Sequence, residues 1–134
     1  MNDNEDVPIR DAATVILLRE KKDSTYVLMG QRGNKAVFMP SKYVFPGGAV
    51  DEDDSKVKLF KSIDENKIDL LHQYSKKKIA KELCVAAIRE LWEEAGLRLC
   101  TKVDDVGTIS PEWKDFCNGI YLPDASNLEY VFRA

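Results

Sequence analysis

The chain has 134 residues, 44% of them hydrophobic and 32% charged, and a formal net charge of -3. That is the balance of one soluble globular domain with a modest core, and the acidic excess argues against a nucleic-acid backbone as the main partner, which would call for a basic patch. No apolar run approaches membrane-spanning length, residues 1–10 are too acidic and polar for a signal or transit peptide, and Cys84, Cys100 and Cys117 lack the spacing of a zinc site or disulfide framework, so the expected setting is a reducing cytoplasm.

Ala12 to Leu18, AATVILL, is a continuous apolar run rich in β-branched residues and predicts a strand covered on both faces. A polar turn over Lys21 to Thr25 leads to a second strand at Tyr26 to Met29, and the two form a hairpin. Arg32 follows, either as a solvated charge or as a bidentate fork for phosphate. Pro46-Gly47-Gly48 predicts a tight bend able to present backbone N–H groups to an anion. The acidic cluster Asp51 to Asp54 is no calcium loop, because Lys56 and Ser62 stand where that loop needs Gly and Glu; Asp51 or Asp54 is a candidate helix cap.

Val57 to Tyr74 carries apolar residues among charges and predicts one or two short amphipathic helices that either cover a site or meet a second subunit. His72, the only histidine, is eligible as a general base, but a single histidine among charges more often caps or lies at the surface. Lys76-Lys77-Lys78 is a charge run, solvated or attracting a phosphorylated substrate from a rim.

Val85 to Leu97, VAAIRELWEEAGL, is the stretch on which a functional reading rests. As a helix at roughly 100° per residue it gathers Glu90, Glu93 and Glu94 on one side, with Arg89 at the edge, and sets Val85, Ile88, Leu91, Trp92 and Ala95 on the other. Like charges at these spacings repel. Either the face is simply solvated, or it holds a hard cation such as Mg²⁺ or Mn²⁺. Gly96 stands where a helix C-terminus favours positive φ. Beyond it, Leu97 to Leu99 and Val103 to Ile109 predict short strands. Ser110-Pro111-Glu112 predicts a helix start, with Trp113, Phe116 and Ile120 packing as core and Asn118-Gly119 closing it; Leu128 to Phe132 is a last strand candidate.

Arg89-Glu90-Leu91-Trp92-Glu93-Glu94-Ala95-Gly96-Leu97 resembles the second half of the Nudix box, R-E-U-x-E-E-x-G-U with U aliphatic, and Phe45-Pro46-Gly47-Gly48 resembles its glycine-containing start. The resemblance extends to the subgroup with a long insert inside the box, which includes coenzyme A diphosphatases. It implies an α/β protein, an α/β/α sandwich with a mixed sheet, over a single domain 1–134 with an insert at about 52–79. It further implies a Mg²⁺- or Mn²⁺-dependent pyrophosphohydrolase acting on a small nucleotide-derived substrate. Glu90, Glu93 and Glu94 would hold the metal, Glu93, Glu94 and Arg89 would serve catalysis, and Arg32, Gly47 and Gly48 would face the substrate. The family expects a Glu eight positions before the Arg; Lys81 stands there, with Glu82 one residue late as its stand-in. In the family further strands and a closing helix follow the point where this sequence stops, which predicts an incomplete C-terminal end and a sheet edge open to dimerisation. A competing reading is a catalytically impaired nucleotide-binding or sensor module on the same fold. A plain structural domain with a solvated acidic helix is the third.

Overall fold

The computed structural model describes residues 9–31 and 42–134. Among these described residues three helices and eight short strands follow one another: β1 (Ala12–Thr14), β2 (Leu18–Lys21), β3 (Ser24–Val27), β4 (Gly30–Gln31), β5 (Tyr43–Val44) and β6 (Gly47–Ala49) come first. A 3₁₀ turn (Glu52–Lys56), α1 (Glu65–His72) and α2 (Ala80–Ala95) occupy the middle. Then come β7 (Cys100–Lys102), a second 3₁₀ turn (Pro111–Trp113) running into α3 (Lys114–Cys117), and β8 (Tyr121–Pro123). The strands pair as four antiparallel ladders, β1 with β6, β2 with β3, β4 with β5 and β7 with β8; no parallel pair is present among the described residues.

The apolar run at Ala12 to Leu18 is not one covered strand. Its two halves take different partners, Thr14 facing Gly47 and Leu18 facing Val27, and Val15 bridges them by donating its N–H to the Pro46 carbonyl at 2.8 Å. Val15 is buried, whereas Ile16 and Leu18 are exposed. The hairpin itself forms as expected, turning at Lys22, which takes positive φ (56°).

The core is organised by α2. Cys84, Val85 and Ile88 project from it into a cluster with Val57, Ile63, Trp113, Phe116, Cys117 and Ala125. Phe116 receives Trp92 edge-on at 5.8 Å and Trp113 at 5.0 Å between ring centres, the arrangement aromatic quadrupoles favour. The expected helix start at Ser110 is realised as Pro111–Trp113 leading into α3, and Asn118 and Gly119 close it with φ of 46° and 73°. Ile120 is only half-buried.

Three further strand expectations fail, the first at Leu97 to Leu99, which is irregular, the strand forming just after it at Cys100–Lys102. Val103 to Ile109 is irregular because Asp105 accepts the Gly107 N–H at 2.8 Å and Gly107 takes φ 70°, a turn that breaks any ladder. Leu128 to Phe132 is not a strand either, and Val131 and Phe132 are exposed. The last ladder is made by β8, which pairs Leu122 with Thr101.

The insert is part of the core. Val57 and Ile63 are buried in it, Phe60 N–H donates to the Pro123 carbonyl at 2.7 Å, and Ala125 N–H donates to the Lys61 carbonyl at 3.0 Å. Only one helix, α1, forms in it, and Lys67 ties that helix to the C-terminal segment through the Leu128 carbonyl and Glu129. Among the described residues no helix is long and apolar enough to cross a membrane.

Candidate active site

The acidic helix begins earlier than the apolar periodicity alone suggests, at Ala80. Its N-cap residue, Ile79, offers no side-chain acceptor, and the first free N–H, that of Ala80, is taken by Nε2 of His72 at 3.2 Å. His72 therefore caps α2 from the insert, in line with the capping alternative. The helix ends at Gly96 in the left-handed conformation, φ 67°, its N–H on the Trp92 carbonyl. One face is buried along its length, from Ala80 through Cys84, Val85 and Ile88 to Leu91. The opposite face carries the acids: Glu90 half-buried, Glu93 and Glu94 exposed.

Arg89 is the hub of the site. Its Nε donates to Oδ1 of Asp54 at 3.0 Å and its Nη2 to Oδ2 at 3.1 Å, so the guanidinium grips that carboxylate at two points. Nη2 also donates to the Ala49 carbonyl and Nη1 to Oε1 of Glu90, each at 2.9 Å. Glu93 and Asp51 lie at 3.6 Å, close enough for attraction without a directed bond. The hydrogen bonding of the guanidinium to the Asp54 carboxylate is the largest influence holding Arg89 in its charged form, against the opposing effect of burial.

Asp54 is the charged residue that the sequence reading missed as a site component. It is 2% exposed, the buried charged residue of the described chain. Asp51 starts the 3₁₀ turn that carries it, and the Asp51 N–H donates to Asp54 Oδ2 at 2.8 Å, so backbone and guanidinium together satisfy the carboxylate. The signal available in sequence was an acid at the end of a capping cluster just past the glycine bend, which the count backwards from Arg89 across the insert passes over. Neither residue on the far side of the insert takes this role. Lys81 Nζ donates to the Ser55 carbonyl at 2.9 Å, and Glu82 lies in the first turn of α2 without a bond to Arg89.

The glycine bend meets the helix directly. A Cβ placed on Gly48 would fall on the Glu90 carboxylate, and one placed on Gly47 would strike the Ala13 carbonyl and Thr14 of β1. Gly47 lets β6 lie against β1; Gly48 makes room for the Glu90 side chain. Bend, Arg89 and Glu90 are thus brought together. Arg32 lies outside the described residues. Among the described residues no group of three or more acid, histidine or cysteine side chains stands close enough to hold a metal by itself. The Lys76–Lys78 run is exposed, with Lys77 paired to Asp11 at 3.0 Å and Lys78 donating to the His72 carbonyl.

No family model matches the chain. Over 93 residues, 69% of its length, it is 39% identical to a Caenorhabditis elegans protein named "Putative nudix hydrolase 7", of which it spans only 23%. Its fold is similar to that of a NUDIX hydrolase from Alicyclobacillus acidocaldarius, with a TM-score of 0.65 at 23% identity, covering 89% of this chain and 58% of that one. The chain thus spans about a quarter of the nematode relative and somewhat more than half of the bacterial structure. The fold is the Nudix fold.

Proposed function

We propose that the protein is a divalent-cation-dependent pyrophosphohydrolase that cleaves a nucleoside diphosphate linked to a second group, giving a nucleoside monophosphate and the phosphorylated remainder. The observation that supports this reading best is the mounting of Arg89, fixed by the buried Asp54 and holding Glu90 against the Pro-Gly-Gly bend. Glu90, Glu93 and Glu94 offer hard oxygen donors suited to Mg²⁺ or Mn²⁺. Because Mg²⁺ is commonly held by one or two carboxylates completed by substrate phosphates and water, this donor set fits an ion that arrives with its diphosphate. When bound, the ion supplies charge neutralisation on the diphosphate and acidifies a water.

The chain's own residues do the rest. Arg89 orients Glu90 through the 2.9 Å bond and stays charged while doing so. One of the helix glutamates, of which Glu93 and Glu94 are exposed on the next turn, or an acid from a later loop, accepts the proton of the attacking water. Gly47 and Gly48 let the substrate's phosphates approach the backbone, with Arg32 as a further phosphate contact. Water adds to phosphorus and the anhydride P–O bond breaks, the leaving phosphate carrying away the electron pair. Coenzyme A is the substrate suggested by resemblance to the long-insert subgroup, and the setting we assign is cytoplasmic.

A second reading, a nucleotide-binding module with impaired catalysis, is favoured by the lack of a ready-made three-ligand cluster among the described residues. Hydrolysis of coenzyme A, ADP-ribose and dinucleoside polyphosphates with and without Mg²⁺ separates the two. The hydrolase reading expects turnover that needs the ion and is lost in Glu94→Gln. Tight nucleotide binding with no turnover would establish the module instead, and turnover indifferent to both would remove the proposed site.

A further inference from the structure

A cavity of about 290 Å³ lies between the start of the insert and the turn leading into α3, and none of its lining comes from α2. It sits at the lower end of the roughly 300–1,000 Å³ common for small-molecule sites. Its floor is apolar: Val57, Trp113 and Cys117 are each buried, with Ile109 beside them. Lys56 and Lys58 stand on one rim, Ser110 and Glu112 on the other.

The polar groups on the rim are not all engaged. Lys56 is paired with Asp53 at 3.0 Å. Lys58 makes no hydrogen bond or ion pair among the described residues, and its Nζ rests 3.7 Å from where a Cβ on Gly107 would lie, beside Thr108. Ser110 occupies the N-cap position of the 3₁₀ turn, yet its side chain makes no capping bond. One ammonium and one hydroxyl are therefore available above an apolar floor. With Lys56 paired to Asp53, the rim keeps one free ammonium, Lys58, and one carboxylate, Glu112, so a polyanion such as a diphosphate is disfavoured there, while a single carboxylate matches the one unpaired cation.

We propose that this cavity is a second ligand site, for a small apolar monocarboxylate whose carboxylate meets Lys58 and the Ser110 hydroxyl and whose apolar part covers Trp113. The site does not depend on the hydrolase reading. Its wall belongs to the same 3₁₀ turn that carries Asp54, so an occupant is one short turn from the mounting of Arg89.

The probe is 3-phenylpropionate, titrated into the full chain and followed by amide resonances. Saturable shifts are expected over residues 56–58 and 107–113. The uncharged 3-phenylpropanol should bind about tenfold more weakly, as should the acid to Lys58→Glu, since each removes one charge-assisted contact. Ser110→Ala should weaken binding by a smaller factor. Shifts that fail to saturate, that fall elsewhere, or that are unchanged in Lys58→Glu would overturn the site. Displacement of the probe by pyrophosphate would overturn the assignment to a monocarboxylate.

Discussion

Asp54 and Arg89 are 35 positions apart in sequence and meet in a two-point grip, Nε to Oδ1 at 3.0 Å and Nη2 to Oδ2 at 3.1 Å. The pair spans the insert and fixes the 3₁₀ turn to the acidic helix. Removing one partner leaves a largely buried guanidinium without its carboxylate, and breaking a buried ion pair costs about 3–5 kcal/mol. Asp54→Asn, which keeps the shape and loses the charge, should fall at the lower end, about 3 kcal/mol by urea unfolding. It should also lower any anhydride hydrolysis, because Arg89 then no longer holds Glu90 in one orientation. A variant with unchanged stability would show that the grip contributes nothing net.

The adjacent glycines should respond differently to the same substitution. A methyl group on Gly47 meets the backbone of β1, which cannot move without breaking the β1–β6 ladder, so Gly47→Ala should cost about 1–3 kcal/mol of stability. A methyl group on Gly48 meets only the end of the Glu90 side chain, which can swing aside. Gly48→Ala should therefore stay within about 0.5 kcal/mol of wild type while reducing turnover on the order of 100-fold, the scale of a 1 Å misplacement at a reacting site. Equal melting temperatures for the two variants would contradict this division.

The contrast between these residues also marks what the sequence reveals. The acidic helix, its αL end at Gly96 and the existence of a hairpin follow from local periodicity and turn chemistry, although the helix starts earlier, at Ala80, and the turn is tighter, at Lys22, than those rules place them. The covered strand expected over Ala12 to Leu18 does not form, because hydrophobicity does not say which neighbour each half will find; β1 pairs with β6, β2 with β3. Asp54 escapes for a related reason. Its partner lies across an insert whose course is set by Val57 and Ile63 entering the core, and no spacing rule measures distance through a folded insert.

That the insert belongs to the core leads to a third expectation. Ile63 is 5% exposed and packs in the same cluster as Ile88 and Phe116. An accessory flap would tolerate truncation there. A core position should not, and Ile63→Ala should cost about 2–5 kcal/mol, with loss of the single cooperative transition if residues 57–63 are deleted. A cost below about 0.5 kcal/mol would return the insert to the status of an appendage.

Alkaline conditions should weaken the fold through Cys84. Burial pushes its thiol from an ordinary value of 9.0 up to about 11, because the thiolate is poorly solvated against Val85 and Ile88. In the unfolded chain the thiol gives up its proton near 9.0; in the folded chain it retains it to about 11. Between those values the folded state binds more protons than the unfolded one, so stability falls as pH rises. The contribution is fully present below pH 9 and declines as pH climbs through about 11, by roughly 2–3 kcal/mol at most. Tyrosines and lysines titrate in the same range, so the informative quantity is the difference between wild type and Cys84→Ala. The variant starts less stable because it leaves a small void, and its stability should decline less steeply from pH 8.5 to 11. In the native state the same thiol should resist alkylation at pH 8, reacting only after unfolding in urea. Parallel stability curves for the two proteins, or rapid native labelling of Cys84, would contradict a thiol kept protonated by the core.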